Sequence, residues 1–312
     1  MQPGSHPCET AAQPRLLLVD GHAYAYRAFY AIRSLTSPTG RATNAIYGFI
    51  RMFEKMRAAL NPSHLAVVWD GGLAAERVAL LPEYKAQRPE MPEDLRPQFD
   101  EIVAYLRAAR VVSVMQDGHE ADDGIATLAR SAEAAGWRVV IASADKDFMQ
   151  LVSAQVQLLN PNDKSETLWG AEQVRAKSGV EPTQIVDWLS LLGDAVDNIP
   201  GVDGVGPKTA AELLKQFGTI DALYGRLAEV RSDRLRENLT KAAAAVRRNQ
   251  EMVRLHEDTP VGVTLSELAV AGADTDGLRR LLEDWGFRSM VKELDRARGA
   301  VGELFELKAV MA

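Results

Sequence analysis

The segment Arg15–Asp20, with the sequence RLLLVD, is a run of apolar residues that ends in a carboxylate. The run 65–69, LAVVW, is followed in the same way by Asp70, and the run 138–142, RVVIA, leads through two small residues to Asp145. Short runs of this kind, separated by longer segments of helical period such as 44–60 and 122–135, are typical of buried parallel strands that alternate with helices. The sequence therefore predicts an α/β fold with a mostly parallel central sheet flanked by helices.

Acidic residues are concentrated where the predicted strands end and in two further motifs, 118–123 (GHEADD) and 193–198 (GDAVDN). Binding sites in open parallel sheets form at the carboxyl ends of the strands. So many carboxylates cannot stay charged together without cations, and a ligand set of oxygen atoms alone selects Mg²⁺ or Mn²⁺. Two such ions would hold a phosphodiester for attack by water. The candidate metal ligands are Asp20, Asp70, Glu120, Asp122, Asp123, Asp145, Asp147, Asp194 and Asp197.

The bland alternative is that each acid caps a helix or lies in a solvated loop, which is common for a single Asp. That alternative does not account for several acidic motifs at successive strand ends. Zinc is disfavoured because the five histidines lack the spacing of zinc ligands. His22, His64 and His119 each have a structural interpretation at least as good as a catalytic one.

Composition describes a soluble globular enzyme, since 46% of the 312 residues are hydrophobic and 25% are charged. The single cysteine, Cys8, excludes an internal disulfide. With no membrane span and no signal peptide in the sequence, a cytoplasmic protein is expected. The net charge of −7 argues against a nucleic-acid partner unless the acids are gathered in one metal site, where bound cations offset them.

Changes in composition and in the predicted secondary structure divide the chain into three parts. We expect a flexible tail over 1–14, an α/β domain over 15–180, and a helical domain over 181–312 that contains a helix-hairpin-helix at 193–218. An insertion at 71–98 is rich in proline and holds basic residues, and a connection of this length is usually functional or disordered.

The helical domain opens with a glycine-rich turn, 201–206, which is followed by a helix start. Glycines permit a tight turn whose N–H groups approach an anion, and the helix start adds its positive end. Such a hairpin positions duplex phosphates without reading sequence. The alternative is a plain helix connector. The candidate DNA contacts are Gly201, Gly204, Gly206, Lys208 and Thr209.

The insertion and the first helix supply further candidates. Arg77, Lys85 and Arg88 could stabilise charge on a phosphate, although basic residues in such loops are often only solvated. Tyr26 could stack a base, although aromatic residues at helical spacing more often belong to the core.

Several motifs occur in the same order as in a known family. They are 19–22 (VDGH), 25–27 (AYR), 43–49 (TNAIYGF), 84–88 (YKAQR), 120–123 (EADD), 144–147 (ADKD), 193–210 and 282–287 (LEDWGF). Together they resemble the 5′ nuclease domain of bacterial DNA polymerase I, within the flap endonuclease family, over about residues 15–295. The resemblance implies a PIN-like or resolvase-like sheet, a helical arch over 71–98, and cleavage of branched or nicked duplex DNA near a free 5′ end or flap.

The resemblance also implies roles by position. Asp20, Asp70, Glu120, Asp122 and Asp123 match a first metal cluster, and Asp145, Asp147, Asp194 and Asp197 match a second. Lys85, Arg88 and Arg77 match basic residues of the arch, and Tyr26 matches an aromatic residue that stacks on an unpaired nucleotide. Family members also hold a potassium ion at the hairpin. A monomer that works beside a DNA polymerase domain or chain is expected, in primer removal and DNA repair. Two rivals remain, a non-catalytic DNA module that binds junctions and a PIN-type ribonuclease.

Overall fold

A computed structural model describes residues 13–298 of the chain, with the exception of residue 164. Cys8 and residues 1–12 of the predicted tail lie outside the described residues, as do residues 299–312 of the predicted helical domain. Within the described part, no helix is long and apolar enough to span a membrane.

Six strands form the central sheet in the order β3-β2-β1-β4-β5-β6. The first five are parallel to their neighbours, and β6 pairs antiparallel with β5. The predicted α/β fold with a mostly parallel sheet is confirmed. The strands are β1 (Arg15–Asp20), β2 (His64–Trp69), β3 (Val112–Met115), β4 (Arg138–Ala142), β5 (Val156–Leu159) and β6 (Leu168–Trp169).

Both faces of the sheet are buried, because side chains alternate along each strand. In β1, Leu16 and Leu18 pack into one core cluster, and Leu17 and Val19 pack into a second cluster on the opposite face. All four side chains are fully buried, which accounts for the continuous apolar run in the sequence.

Helices cover both faces. In the first part of the chain they are α1 (Gly21–Ala31), α2 (Asn44–Leu60), α3 (Ala75–Leu80), α4 (Arg96–Ala108) and α5 (Ala121–Ala134). Of these, α2 packs on the face of Leu17, and α5 packs on the face of Leu16. The helical periods at 44–60 and 122–135 therefore marked two real helices to within one residue at each end.

After the sheet the chain is mainly helical. Its elements are α6 (Ala171–Ser178), α7 (Ile185–Leu192), the two-residue strands β7 (Gly193–Asp194) and β8 (Ile199–Pro200), α8 (Pro207–Phe217), α9 (Ile220–Gly225), α10 (Asp233–Val253) and α11 (Thr275–Asp284). Residues 288–298 are also helical.

The strand register brings distant residues to one edge of the sheet. Asp20 pairs with Val68 in β2, and Asp70 follows Val68 by two residues, so both aspartates lie at the carboxyl ends of these neighbouring strands. Val19 pairs with Ala142, the last residue of β4, so the segment that leads to Asp145 starts beside Asp20. Acids far apart in the sequence therefore meet where the strands end.

The loop after β2 is held against the loop after β3 by a close backbone approach. Gly71 donates its N–H to the carbonyl of His119, and Gly118 donates to the carbonyl of Gly71, both at 2.9 Å. A Cβ atom on Gly71 would lie 2.0 Å from the carbonyl oxygen of Gln116, so only glycine fits. This contact sets Asp70 next to Glu120.

The segment 71–98 contains one short helix, α3, followed by hydrogen-bonded turns over 82–87. A longer helix is prevented by Pro82, Pro89 and Pro92, since proline lacks an N–H and disfavours helical backbone in the residue before it. The arch implied by the resemblance is therefore mostly turns, and the long helix α4 begins only at its end.

Candidate metal centre and nucleic-acid interface

The carboxylates at the strand ends are joined by a chain of hydrogen bonds. Ser143, buried at the end of β4, donates its hydroxyl to Asp20 at 2.8 Å and accepts the N–H of Asp145 at 3.1 Å. Asp145 in turn accepts the N–H of Asp147 at 2.9 Å. Asp20 also caps α1 by accepting the N–H of Ala23. These bonds fix three carboxylates at the ends of two neighbouring strands.

Asp70 is hydrogen-bonded to two helices, α5 and α1. Its Oδ1 accepts the N–H of Ala121 at 2.8 Å, at the start of α5, and its backbone N–H is donated to Nδ1 of His22 at 3.1 Å. Burial lowers the pKa of His22 despite the nearby Asp70 charge, so this ring is neutral at pH 7 and acts as an acceptor. His22 therefore orients the Asp70 backbone.

Mutual repulsion and burial raise the pKa values of three of these acids. The pKa of Asp20 rises to about 7 because the group is buried and lies near Asp70 and Asp145. Burial, followed by the charges of Asp145, Asp20 and Asp70, raises the pKa of Asp122. The pKa of Asp147 rises through burial and then through Asp145, Asp194 and Asp197.

Asp145 raises the pKa of Asp20, Asp122 and Asp147 alike, and so links the two acidic groups. The structure thereby brings most of the predicted acids to one place, which we call the acidic cleft. The acidic cleft consists of Asp20, Asp70, Glu120, Asp122, Asp145, Asp147, Asp194 and Asp197.

The donor set of the acidic cleft fits hard divalent cations. All of its side-chain donors are carboxylate oxygens, and buried oxygens of Glu120 and Asp147 have no hydrogen-bond partner. Across the described residues, no three His, Cys, Asp or Glu side chains form a ready-made metal cage. Mg²⁺ is usually held by one or two carboxylates and completed by water and substrate phosphate.

The acids at the edge of the cleft are paired with cations of the protein. Lys146 forms an ion pair with Asp194, at 2.5 Å, and Arg88 forms one with Asp197. Burial would raise the pKa of Asp194, but the hydrogen bond and the charge of Lys146, together with two backbone N–H groups, lower it overall. Burial raises the pKa of Asp197. These pairs neutralise the edge of the cleft, whereas Asp20, Asp122, Asp145 and Asp147 at its centre form no ion pair within the described residues.

The turns over 82–88 form the base of the arch and pack on the cleft. Glu120 accepts hydrogen bonds at the same Oε2 atom from Lys85 at 2.9 Å and from the Tyr84 hydroxyl at 3.1 Å. The backbone N–H of Lys85 is donated to the carbonyl of Asp197, and the side chain of Asn198 donates to the carbonyl of Glu83. Lys85 and Arg88 are thus both held at the cleft.

Arg77 and Asp123 do not face the cleft as the sequence led us to expect. Arg77 donates to both carboxylate oxygens of Asp123, at 2.7 and 2.8 Å, and to Glu120 at 3.1 Å. Its remaining N–H groups reach the carbonyls of Met252 and Arg254 at the end of α10. All five N–H groups of Arg77 and both carboxylate oxygens of Asp123 are thus occupied within the protein, which leaves no group of this pair for a phosphate or a cation. We assign both a structural role in place of the catalytic and metal-binding roles.

Tyr26 lies on α1 close to the cleft, half-buried among aromatic rings. Its ring centroid is 6.2 Å from Phe99 and 6.4 Å from Tyr30, which is 68% exposed. Burial raises the pKa of Tyr26, while the positive charges of Arg88 and Arg96 oppose that rise. Tyr26 thus lies near an exposed aromatic residue and near two basic residues of the segment 71–98.

The helix-hairpin-helix region presents a polar backbone surface. The buried side chains of Val202 and Val205 anchor the turn, while Gly204, Gly206 and Lys208 are exposed between them and at the start of α8. Gly204 has a φ of 77°, which favours glycine. A Cβ on Gly201 would lie 2.0 Å from the carbonyl oxygen of Leu192, so the turn closes tightly on α7.

Comparison with known proteins identifies the architecture. Residues 15–179 match the 5′-3′ exonuclease N-terminal resolvase-like domain, and residues 180–276 match the 5′-3′ exonuclease C-terminal SAM fold. The chain belongs to the 5′-3′ exonuclease family.

Relatives at the sequence level are of two lengths. The 5′-3′ exonuclease of Aquifex aeolicus (strain VF5) is 35% identical over 281 residues, which cover 90% of this chain and 95% of that protein. DNA polymerase I of Bacillus caldotenax is 36% identical over 283 residues, which cover 90% of this chain and 32% of the polymerase. This exonuclease-family chain therefore spans about a third of the length of the polymerases that it matches.

Solved structures agree on the fold. A bacteriophage T5 flap endonuclease variant in a complex with DNA and metal ions has a TM-score of 0.65 and 20% identity, covering 90% of this chain and 98% of that one. The catalytic core of Rad2 in complex with a DNA substrate has a TM-score of 0.60 and 17% identity, covering 90% and 91%. The resolvase-like sheet with its helical C-terminal part is thus shared with both solved structures.

Three residues in or beside the acidic cleft were not predicted from the sequence. Ser143 and Lys146 sit inside the motif that supplied Asp145, and their proximity to it was the only signal. Phe99 lies in α4 and contacts both Tyr26 and His22, with ring centroids 6.2 and 4.8 Å away. Nothing in the local pattern around Phe99 set it apart from a core residue.

Proposed function

We propose that this chain is a structure-specific 5′-3′ exonuclease and 5′ flap endonuclease that hydrolyses DNA phosphodiester bonds with two Mg²⁺ or Mn²⁺ ions. The observation that carries the proposal is the centre of the acidic cleft. There Ser143 links Asp20 to Asp145, Asp145 accepts the N–H of Asp147, and a buried oxygen of Asp147 has no hydrogen-bond partner. Burial, and then the neighbouring carboxylates, raise the pKa values of Asp20, Asp122 and Asp147, and none of these three forms an ion pair within the described residues. Such an arrangement is costly unless cations bind there. The DNA and metal ions bound to the structurally similar T5 enzyme support the same view.

The residues divide into two ligand groups. Asp20, Asp70, Glu120 and Asp122 would hold one cation, and Asp145, Asp147, Asp194 and Asp197 would hold the other. When bound, the cations supply a lowered pKa for water and stabilise charge on the scissile phosphate. Asp123 is left out of the first group because Arg77 occupies both of its oxygens.

The chain's own residues have roles around these ions. Lys85 and Arg88 would contact the scissile phosphate once cations take over Glu120 and Asp197, their present partners. Tyr26 would stack on a nucleotide at the junction. The backbone around Gly204 and Gly206, with Gly201, Lys208 and Thr209 beside it, would hold duplex phosphates, and a potassium ion could bind at the same hairpin.

The biological setting is part of the proposal. The substrate would be branched or nicked duplex DNA with a 5′ end or flap, bound by a monomer of this chain. Because the matched polymerases carry a related segment in one third of their length, a DNA polymerase, linked or separate, is the partner that would extend the adjacent strand. Primer removal and DNA repair are the processes that need this pair of activities.

The test is cleavage of a 5′-labelled flap duplex by the pure chain, with Mg²⁺ and with a chelator. We expect cleavage near the junction only with Mg²⁺, and little cleavage of a single-stranded RNA of the same length. Junction binding without any cleavage in Mg²⁺ would favour the non-catalytic module, and preferred cleavage of the RNA would favour the PIN-type ribonuclease.

Lys85→Ala separates chemistry from binding. If Lys85 acts on the scissile phosphate, this variant should lower the single-turnover cleavage rate by about 10²-fold or more and change duplex affinity little. An equal loss of affinity and rate would make Lys85 a general phosphate contact. Lys55→Ala is a matched control, because Lys55 is exposed and pairs with Glu166 on another part of the surface.

A further inference from the structure

A cavity of about 990 Å³ lies beside the acidic cleft, between α4 and the edge strand β3. Asp70, His22 and Trp69 form its inner end, so it is continuous with the cleft. Apart from Asp70, His22 and Phe99, the lining residues have no role assigned above. We call it the edge groove and define its walls by Arg96, Phe99 and Arg107 on α4 and by Val111, Ser113 and Met115 on and next to β3.

The α4 wall combines charge with aromatic and apolar surface at helical spacing. Arg96, Phe99, Val103 and Arg107 are separated by three or four residues and share one face of the helix. The two arginines are exposed, and within the described residues neither side chain forms an ion pair or a hydrogen bond. They are eleven residues apart, which is about 16 Å along a helix.

The opposite wall is apolar and open. Met115, the last residue of β3, is 62% exposed, and β3 is the outer strand of the sheet, so no further strand covers it. Met115 shares this cavity with Phe99 on α4, so the groove combines an exposed apolar side chain with an aromatic ring. Flat bases are suited to Met115 and Phe99, and phosphates are suited to the unpaired arginines.

We infer that the edge groove binds the single-stranded 5′ segment of the DNA after it has passed the acidic cleft. Positive groups that follow a backbone, together with aromatic side chains that contact bases, are the features of single-strand binding without sequence preference. The length of the α4 wall corresponds to about five phosphate spacings of 3.4 Å along a duplex strand, and to fewer if the strand is stretched. This inference rests on the proposed function, because it needs a strand that crosses the cleft.

Two acids, Asp70 and Asp100, also line the groove. Asp70 belongs to the acidic cleft, where a bound cation would offset its charge. Asp100 lies on α4 between the two arginines and has no cation partner within the described residues. Its charge opposes a phosphate, so the inference predicts that Asp100→Asn improves binding of the 5′ strand.

The experiment compares flap duplexes that differ only in the 5′ single strand, one nucleotide in one substrate and eight in the other. Affinity is measured by fluorescence anisotropy over a salt series in chelator, and single-turnover cleavage is measured in Mg²⁺. For Arg96→Ala/Arg107→Ala we expect roughly a tenfold loss of affinity for the long flap, a salt slope lower by about 0.7 for each arginine, and no change for the short flap. Asp100→Asn should shift affinity for the long flap the other way.

Arg110→Ala is the matched control, since Arg110 is exposed just beyond α4 but does not line the groove. Equal effects on long and short flaps, or an Arg110→Ala effect as large as that of the double variant, would overturn the inference. A failure of the proposed function looks different, because the unmodified chain would then cleave neither flap in Mg²⁺. The affinity series in chelator would still report on the groove.

Discussion

Asp122 and Asp123 are neighbours in the sequence and on α5, yet the protein treats them in opposite ways. Asp123 is held by two hydrogen bonds from Arg77 and by the N–H of His256. Asp122 forms no ion pair within the described residues. Burial and then three nearby carboxylates raise its pKa, and the charge of Lys85 offsets only part of that rise. The charge of Asp123 is balanced by Arg77, whereas the charge of Asp122 would be balanced by a bound cation.

The same contrast separates two regions of the molecule. Around Arg77, charges are paired inside the protein and join α3, α5 and the end of α10, which stabilises the packing of one domain part on the other. In the centre of the acidic cleft, charges of one sign are gathered and oxygens remain without partners. Buried uncompensated charge is a cost to stability that function explains, whereas buried compensated charge is a matter of structure.

The largest expected effect breaks the cleft itself. Asp145→Asn keeps the side-chain shape but removes the charge that links both groups of acids, so Mg²⁺-dependent cleavage should fall by at least about 10³-fold. Binding of flap duplex in chelator should hold or tighten, because a negative charge near the DNA is lost. Single-turnover cleavage beside anisotropy measures both quantities.

Asp258→Asn serves as the control for this variant, because Asp258 is exposed and lies outside the cleft. Cleavage by Asp145→Asn at a rate near that of the parent would remove the metal assignment and leave the DNA-binding module as the better explanation.

The second effect concerns stability in the Arg77 region. Arg77→Met leaves the buried carboxylate of Asp123 without its partner, and the free energy of unfolding should fall by about 3–5 kcal/mol. The double variant Arg77→Met/Asp123→Leu removes both charges and should recover much of this loss. Denaturant unfolding in chelator measures it, and a loss of cleavage without a loss of stability would instead return Arg77 to the catalytic group.

The strand-end acids and the Arg77–Asp123 pair show which contacts can be predicted from the sequence and which cannot. The strand-end acids were predictable, since each follows a local apolar run and parallel strands end at the same edge. The partner of Asp123 was not, because the position of Arg77 depends on carbonyls of Met252 and Arg254, about 175 residues along the chain. Periodicity and motif order carry no information on such long-range contacts, so two acids of one motif looked alike.

The edge groove could not be predicted from the sequence for a similar reason. Arg107 is a typical basic residue in the last turn of a helix, and Met115 is a typical residue of a strand. Only the packing of α4 beside the edge strand places them in one cavity. The orientation of the segment 82–88 toward the cleft likewise depends on contacts with Asp197 and Asn198.

A third, smaller effect sharpens the contrast between the two neighbouring acids. An acid with a raised pKa in the folded protein costs stability as pH rises from its unfolded value near 4 through its folded value, which is about 7 for Asp20. Metal-free protein should therefore be less stable at pH 8 than at pH 5. Asp122→Asn should raise the free energy of unfolding at pH 8 by about 1–2 kcal/mol and reduce this pH dependence.

Chemical unfolding at both pH values in chelator tests this prediction, and added Mg²⁺ should stabilise the parent more than the variant. Asp123→Asn is the matched comparison. It should destabilise the protein at pH 8, since it weakens an ion pair. Destabilisation by Asp122→Asn as well would mean that Asp122, too, has a structural partner.

The smallest effect extends the comparison to cations. Lys208 is exposed at the start of α8 and has no acidic partner within the described residues, whereas Lys241 on α10 is exposed and pairs with Glu237 at 2.7 Å. If uncompensated charge marks function for cations as it does for acids, Lys208→Ala should weaken flap-duplex binding and lower the slope of log affinity against log salt by about 0.9, the value of one phosphate contact on duplex DNA. Lys241→Ala should leave the slope unchanged, because its charge is already balanced by Glu237. Single-turnover cleavage at saturating protein should be equal for both variants and the parent, since neither lysine lies at the acidic cleft. Equal slopes for Lys208→Ala and the parent would leave the hairpin as a connector between α7 and α8, and duplex binding would then have to be sought on another surface.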